Sequence, residues 1–248
     1  MSEPVSQSQR RLRGSTWPVQ RTLDRIPVLG SLPEAVRRDL EKRCVWKEYK
    51  TDEQIIDRES ESRDVFFVVG GVVRIVNYSY SGREVSYDEI RAGGMFGELS
   101  SIDGKPRSAS VVAMKRTMVA SLAPELFKKL MREHPQFAVA VIERLAVIIR
   151  ASNERIMDLS TLGAYSRVYA EILRRARTLA AEDADSALID PLPVHSDLAA
   201  QCGTTRETVA RAISDLIKKG IAEKQGAGGL NIKDLWGLKD IVEGGDES

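Results

Sequence analysis

The apolar pattern of this chain changes at Val45 and again at Pro124, and the second change separates a region of strands from a long region of helices. From Val45 to Leu122, short segments rich in Val, Ile, Phe and Tyr are separated by Gly, Asp and Ser. Beyond Pro124, apolar residues recur at helical spacing over long stretches. Short strands at such intervals are typical of an antiparallel barrel or double sheet, and the later spacing indicates packed helices. The chain is therefore predicted to be α+β, with strands and helices largely in separate parts.

The predicted strands are rich in β-branched and aromatic residues and are bounded by turn signals. They are Gln54 to Ile56, Val65 to Val69, Val72 to Val76, Glu84 to Tyr87, Ser110 to Ala113 and Thr117 to Leu122. A short helix is predicted before them, with a capping box of Ser31 and Glu34 at its start and its end near Cys44. Residues 1–21 are predicted to be a disordered tail because they hold few apolar side chains.

Composition argues against several classes of protein. The 37 basic and 36 acidic residues leave a net charge of +1, so any contact with nucleic acid needs a local basic surface. The two separate cysteines indicate a reducing compartment, and only two histidines argue against a metal-dependent enzyme. No apolar run approaches the ~20 residues of a membrane span, and no secretory signal is evident. We expect a cytoplasmic protein with no metal, no membrane partner and no catalytic residues.

The stretch from Phe96 to Ala109 has the composition of a small anion pocket. It contains two glycines, the acidic Glu98, an Asp-Gly pair and Arg107 followed by a serine. Arginine and backbone N–H groups bind anions, and a carboxylate accepts from a hydroxyl, so a sugar phosphate would satisfy both. The glycines alone would indicate only turns. The position of Gly97 and Glu98 opposite Arg107 across a short loop favours a ligand site.

A heptad seam runs along the helix that is predicted to start near Pro135. Its members are Ile142, Leu145, Ile149, Ser152, Ile156 and Leu159. This spacing indicates a helix that pairs with a second copy of the chain. Ser152 is a polar exception, with Asn153 beside it. The two polar residues either set the register of the helix pair or contact a polar ligand, and the pocket upstream favours the ligand.

Two short helices joined by a glycine-containing turn are predicted near the C-terminus, as in a helix-turn-helix. The first spans Ser196 to Cys202 and the second Arg206 to Ile217. Glycines between short apolar segments further on, from Ala222 to Ile232, indicate a β-hairpin wing.

The outer face of the second helix has the residue types that read bases. Arg206 and Arg211 can pair with guanine, and Glu207 can accept from cytosine. Thr205 and Thr208 can bind phosphates near the start of the helix. An ordinary charged surface helix is the alternative, and the paired helices and their turn make it the weaker one.

Both stretches resemble the CRP/FNR family of bacterial transcription regulators, close to its cyclic-AMP-responsive branch. The resemblance covers Thr22 to about Asp234. Gly-Glu-Leu and Arg-Ser-Ala in Phe96 to Ala109 look like the phosphate-binding cassette of that family, and Gly203 to Arg211 looks like its recognition helix. The implied cyclic-nucleotide contacts are Ile75, Tyr87, Gly97, Glu98, Leu99, Ser100, Arg107, Ser108, Ala109, Ser152 and Asn153. The implied DNA contacts are Ser196, Thr205, Arg206, Glu207, Thr208 and Arg211.

The resemblance also implies roles for these residues. Glu98 would accept a hydrogen bond from the ribose 2′-hydroxyl, while Arg107 and Ser108 would hold the cyclic phosphate. Ser152 of one subunit and Asn153 of the other would contact the base. The family has a second hydroxyl where Asn153 stands, and an amide can serve adenine or guanine. Cyclic AMP is therefore the expected allosteric ligand, with cyclic GMP as the alternative.

The family architecture implies four parts in this chain. They are a tail (1–21), a jelly-roll-like cyclic-nucleotide-binding β-barrel domain (22–134), a dimerisation helix (135–162) and a winged helix-turn-helix DNA-binding domain (163–248). The implied function is a homodimeric, cyclic-nucleotide-dependent regulator that binds a TGTGA-type palindrome in double-stranded DNA and contacts RNA polymerase. Two alternatives stay open: a ligand-independent or otherwise-liganded regulator of the same family, and a cyclic-nucleotide-binding regulatory module without DNA binding.

Overall fold

We describe the protein from a computed structural model that covers residues 21–78, 84–181, 183–226 and 228–244, without the side chains of residues 78, 84, 85 and 87. The predicted tail, residue 21 apart, lies outside these residues. The described chain forms two compact units. The first contains residues 21–75 and 89–141, and the second contains the described parts of 76–88 and 142–248.

The first unit is built mainly from strands, two of which continue into residues 76–78 and 84–88 of the second unit. A 3-10 turn (Pro27–Leu29) and helix α1 (Glu34–Arg43) precede them. The strands are β1 (Val45–Tyr49), β2 (Gln54–Ile56), β3 (Val65–Gly70), β4 (Val72–Tyr78), β5 (Glu84–Arg91), β6 (Met95–Phe96), β7 (Ser110–Ala113) and β8 (Thr117–Leu122). Helix α2 (Glu98–Asp103) lies between β6 and β7, and α3 (Pro124–Glu133) follows β8.

The strands form two four-stranded sheets around one core. Their orders are β1-β8-β3-β6 and β2-β7-β4-β5, and the strand pairs described residue by residue are antiparallel. Strand β3 is buried along its whole length, as a strand covered on both faces should be. Phe66 and Val68 from β3 share a core with Val73 from β4 and Val111 from β7, so the two sheets pack on each other. The predicted antiparallel double sheet is confirmed.

Strands β1 and β6 were not among the predicted ones, for different reasons. In β1 only Tyr49 is buried, because the strand lies at the edge of its sheet and pairs with β8 alone. Its side chains therefore lack the dense apolar pattern of β3. Strand β6 has two residues, Met95 and Phe96, too few for any alternation to be visible in the sequence.

The predicted capping box before α1 is wrong. The helix begins at Glu34, and its N-cap is Pro33, which makes no side-chain capping bond. Ser31 belongs instead to the preceding series of turns, in which the Leu32 N–H donates to the Leu29 carbonyl at 3.1 Å. The end of the helix at Arg43, with Cys44 buried just after it, agrees with the sequence.

The second unit is mainly helical. Helix α4 (Pro135–Thr161) enters it from the first unit, and α5 (Ala164–Leu179), α6 (His195–Cys202), α7 (Arg206–Lys218) and α8 (Leu235–Glu243) follow. Strands β9 (Ala187–Ile189), β10 (Ala222–Gln225) and β11 (Gly229–Ile232) form an antiparallel sheet in the order β10-β11-β9. The predicted helix-turn-helix and hairpin wing are both present, and Gly163 is the N-cap of α5.

One core holds helices α5 to α8 and the wing of this unit together. It is formed by buried side chains of these elements, including Ile172, Leu198, Val209, Leu216 and Ile232. Helix α8, which was not predicted, adds Leu235 and Leu238 to this core. Its start is fixed by Asp234, whose carboxylate accepts from the Gly237 N–H at 2.7 Å.

Candidate functional site

The stretch predicted to bind an anion forms a one-turn helix between two left-handed glycines. Gly97 has a φ of 79° and Gly104 a φ of 73°, and α2 lies between them. A Cβ at position 97 would be 2.8 Å from Arg107 Nη1 and 2.9 Å from the Asp64 carbonyl oxygen. Glycine is therefore required here twice, for its conformation and for the space it leaves.

Arg107 is the centre of this cassette. Its side chain is buried, with the residue only 4% exposed. Nη1 donates to the Gly97 carbonyl at 2.8 Å and Nη2 to the Asp64 carbonyl at 2.9 Å. Nε and Nη2 also donate to the Ser62 hydroxyl, at 3.3 and 3.2 Å. The guanidinium is thus held at a fixed place by three acceptors from two loops.

Aromatic packing supports the same guanidinium. Its carbon lies 5.8 Å from the centre of the Phe66 ring, and Phe66 stacks on Phe96 with 5.0 Å between ring centres. Because β3 pairs with β6, Phe66 and Phe96 are opposite each other in the sheet. The strand pair therefore provides a rigid base under the cassette.

The charges of the cassette act on each other. Burial lowers the pKa of the Arg107 guanidinium, while the carboxylates of Asp64 and Glu98 act in the opposite direction. Burial likewise raises the pKa of the Asp64 carboxyl, and Arg107 opposes that change. Glu98 is itself buried, in the first turn of α2. Buried groups whose pKa values are shifted by burial and by neighbouring charges are typical of functional sites.

The other predicted ligand residues differ in their surroundings. In the cassette, Ser100 is buried, while Leu99 and Ser108 are exposed and Ala109 is half-buried. Ile75 packs against the core of the first unit. The Tyr87 side chain lies outside the described residues.

The two polar residues of the heptad seam are exposed. Ser152 donates its hydroxyl to the Ile148 carbonyl of its own helix at 2.9 Å, which leaves the hydroxyl oxygen as an acceptor. Asn153 is exposed beside it. The apolar members of the seam are exposed as well, apart from the half-buried Leu145, with Ile142, Ile149 and Ile156 at 59%, 59% and 62%.

The residues that sequence reasoning missed are those behind Arg107. Ser62, Asp64 and Phe66 come from the loop before β3 and from β3 itself, more than thirty positions before Gly97. Asp64 accepts with its backbone carbonyl, which any residue type provides, so no sequence signal identifies it. Only the aromatic residue on a predicted strand could have suggested a stacking partner.

The helix-turn-helix presents its predicted residues on one side. Val209, Ala212, Ile213 and Leu216 of α7 are buried, whereas Arg206, Glu207 and Arg211 are exposed. Those three side chains are therefore available on the outer face, as predicted. Ser196 is exposed in the first turn of α6.

The start of α7 is capped by the residues that were predicted to bind phosphates. Thr205 is the N-cap, and its hydroxyl accepts from the Thr208 N–H at 3.2 Å and lies 3.1 Å from the Thr208 hydroxyl. The backbone N–H of Glu207, and next the Thr205 hydroxyl, hold the pKa of the Glu207 carboxyl below its ordinary value. Glu207 is therefore a hydrogen-bond acceptor at neutral pH.

The described residues form neither a membrane-spanning helix nor a grouped set of metal ligands. No helix among them has the length and apolar character needed to cross a membrane. Within the same part of the chain, no three His, Cys, Asp or Glu side chains are grouped as metal ligands.

Comparison with known families identifies both stretches. Residues 46–134 match the model of the cyclic nucleotide-binding domain, and residues 166–241 match the Crp-like helix-turn-helix domain. The first match contains the cassette and the second contains the paired helices and the wing.

Individual relatives give the same result. The chain is 30% identical over 182 residues to a cyclic AMP receptor protein of Thermus thermophilus, covering 73% of this chain and 80% of the relative. It is 28% identical to a global nitrogen regulator of Synechococcus elongatus, covering 61% of this chain and 69% of the relative. Its fold is similar to that of a CooA mutant from Carboxydothermus hydrogenoformans, with a TM-score of 0.75, 23% identity and coverage of 90% and 96%. The cassette, the paired helices and these matches together show that the chain belongs to the CRP/FNR family, as a DNA-binding transcription regulator with a cyclic nucleotide-binding domain.

Proposed function

We propose that this regulator is a homodimer that binds its DNA in response to a cyclic nucleotide. The observation that carries the proposal is the buried Arg107. Its bonds to Gly97, Asp64 and Ser62 hold the guanidinium in place before any ligand arrives. Nη1 has two N–H groups, and the described structure uses one of them on Gly97. The second remains for a cyclic phosphate, a charge-assisted bond of the strong kind.

Glu98 and the backbone of the cassette complete the proposed sugar-phosphate site. Glu98 accepts the ribose 2′-hydroxyl, and Gly97, Ser108 and Ala109 contribute groups around the phosphate. Leu99 and Ser100 lie in the same turn of helix. Ile75 and Tyr87 line the base side. These contacts are common to all cyclic nucleotides, so they do not choose among bases.

The base is recognised by Ser152 of one subunit and Asn153 of the partner subunit in this proposal. Both residues are exposed on α4 in the single chain, which agrees with a role that requires a second chain. Cyclic AMP is the primary candidate and cyclic GMP the alternative, since an amide offers both donors and an acceptor. The ligand can shift the regulator toward its DNA-binding state only by its difference in affinity for the two states.

The dimer is proposed to form through residues 135–162. The exposed isoleucines of the seam support this, because a helix with a 3-4 apolar spacing gains stability when a second helix covers it. Two helix-turn-helix units of a dimer would lie about 34 Å apart, one turn of DNA, on a TGTGA-type palindrome. Arg206, Glu207 and Arg211 would read the bases, with Thr205, Thr208 and Ser196 on the backbone. RNA polymerase is the proposed further partner.

A second candidate is a regulator of the same family with another ligand or none. The similarity to a global nitrogen regulator supports this second candidate, since the name of that relative refers to nitrogen and not to a cyclic nucleotide. One experiment separates the two candidates. Calorimetric titration with cyclic AMP and with cyclic GMP is followed by a gel shift on a labelled TGTGA palindrome with each nucleotide. Binding of a nucleotide together with tighter DNA binding supports the first candidate. An affinity for DNA that neither nucleotide changes supports the second.

A further inference from the structure

Arg167, in the first turn of α5, joins backbone carbonyls from two places in the second unit. Nε donates to the Cys202 carbonyl and Nη1 to the Leu162 carbonyl, both at 2.8 Å. Nη2 faces the Gly203 carbonyl at 3.4 Å. Leu162 directly follows α4, whereas Cys202 and Gly203 form the end of α6 and the turn of the helix-turn-helix. One guanidinium therefore connects the end of the long helix to the DNA-binding turn.

The chemistry of this connection suits a cation. The last carbonyls of a helix have no partner within the helix, and they carry the negative end of its dipole. Arg167 satisfies such carbonyls at the end of α6. An arginine can serve three acceptors at once because its five N–H groups form a planar fork, which the single ammonium of a lysine cannot reproduce.

Close packing reinforces the same contact. Gly203 has a φ of 62°, and a Cβ there would lie 3.1 Å from Cδ2 of Leu159 in the last turn of α4. The turn thus packs directly against α4, and Arg167 donates hydrogen bonds to its carbonyl groups. A side chain at position 203 would press on Leu159 in this arrangement.

A second set of polar contacts runs parallel to the first. Arg174 on α5 pairs with Asp158 on α4 and with the buried Glu171. Arg175 also pairs with Glu171, at 2.7 Å, and donates to the Gln201 side chain on α6 at 2.6 Å. These pairs hold α4, α5 and α6 together, but they reach the side of α6 and not the turn. The turn itself is held by Arg167.

We propose that Arg167 is a positioning residue for DNA binding, which fixes the orientation of the recognition helix α7 relative to the end of α4. Gly203 is separated from Arg206 by two residues, and Thr205 is the cap of α7. A turn held in place therefore holds the first turn of α7, where Arg206 and Glu207 lie. A dimeric regulator presents two such helices to one DNA site, so the range of orientations open to each helix must be narrow. A small rotation at the turn would displace the recognition helix from its major groove.

The first test measures the distance between α4 and α7 in the full chain by double electron–electron resonance. Spin labels are attached at Arg150→Cys and Ser214→Cys, two exposed positions on those helices. Labelled protein is diluted with excess unlabelled protein, so that distances between subunits do not contribute. Native Cys44 and Cys202 are buried and do not compete for the label.

We expect a single narrow distance distribution when Arg167 is present and a clearly broader one in Arg167→Gln. Arg177→Gln is the matched control, since Arg177 is an exposed arginine on the same helix, and it should keep the narrow distribution. If circular dichroism shows that Arg167→Gln has lost helix content, Arg167→Lys takes its place, and an intermediate width is expected. Equal widths for the position-167 variant and Arg177→Gln would overturn the proposal.

The second test measures binding to a labelled TGTGA palindrome and to cyclic AMP, and this part rests on the proposed function. Arg167→Gln should bind the palindrome about tenfold more weakly, while its affinity for the nucleotide stays that of the parent protein. Weaker DNA binding with an unchanged distance distribution would overturn the proposal, because Arg167 would then be a direct phosphate contact. If no variant binds the nucleotide or the palindrome, the proposed function fails, and the distance measurement still decides the role of Arg167.

Discussion

The Nη1 atom of Arg107 lies 2.8 Å from the carbonyl oxygen of Gly97, and the same glycine leaves the space that this nitrogen occupies. The acceptor and the space come from one residue. The conformation of the cassette and the position of its arginine are therefore linked, and a change in either one should alter the other.

Gly97→Ala should destabilise the first unit and weaken nucleotide binding together. A left-handed conformation costs a non-glycine residue about 1–2 kcal/mol, and the added Cβ would also press on Arg107 Nη1. Urea unfolding measures the first effect and calorimetry with cyclic AMP the second. Gly228→Ala is the control, since a Cβ there meets nothing within 4 Å, and it should change stability by less than about 0.5 kcal/mol. Equal stabilities for the two variants would contradict this interpretation of Gly97.

Arg107→Ala should weaken nucleotide binding about tenfold to a hundredfold and abolish the response of DNA binding to the ligand. The reason is that the cyclic phosphate loses a charge-assisted hydrogen bond, which is worth about 1.5–3 kcal/mol. Calorimetry measures the affinity, and a gel shift measures the response. Arg116→Ala removes an exposed arginine of the same unit and should leave both unchanged. An unaltered affinity in Arg107→Ala would remove the cassette from the proposed ligand site.

Arg206→Ala should cost about 1–3 kcal/mol of DNA-binding free energy at one guanine and relax specificity there. Arg206 is exposed at the start of α7, where a bidentate contact to a guanine edge is geometrically available. Binding to a set of palindromes with single base changes measures the effect. Ser214→Ala, an exposed position on the same helix, is the control. A uniform loss over all sequences would identify Arg206 as a phosphate contact instead.

Asn153→Ser should change the ratio of affinities for cyclic AMP and cyclic GMP by about twofold to tenfold, the effect of one neutral hydrogen bond. The substitution replaces an amide, with two donors and an acceptor, by a hydroxyl. Parallel titrations with both nucleotides give the ratio. The neighbouring Arg150→Ser, also exposed on α4, should leave it unchanged. Identical ratios in the two variants would exclude Asn153 from the choice of base.

Both cysteines should be unreactive in the folded protein. Burial raises the pKa of the Cys44 thiol and of the Cys202 thiol to about 12, so almost no thiolate is present at pH 8. Titration with a coloured disulfide reagent at pH 8 should show almost no reaction, and two thiols per chain after addition of guanidinium chloride. Rapid modification of one thiol under native conditions would show that its surroundings open readily.

The sequence predicts some helices and strands of the fold closely and misses others. Strands β2, β7 and β8 have the predicted bounds, because their apolar residues are dense and their turn signals are clear. The edge strand β1 and the short strands β6 and β9 were missed, since pairing with a neighbour defines them and their own residues do not. Helix α8 was missed as well, although its Asp234 cap and its buried leucines are local signals.

The sequence by itself determined the order of the parts, the cassette between Gly97 and Arg107, and the outward residues of α7. These depend on local conformation and on spacing along the chain, which the residue types specify directly. Only the tertiary structure decided what holds the guanidinium groups of Arg107 and Arg167 in place. The bonds of Arg107 to the Asp64 carbonyl and of Arg167 to the Cys202 carbonyl join positions that are distant in the chain. Both acceptors are backbone carbonyls, which every residue has, so the residue types at these positions do not predict the bonds. The fold alone brings each carbonyl within hydrogen-bonding distance of its arginine.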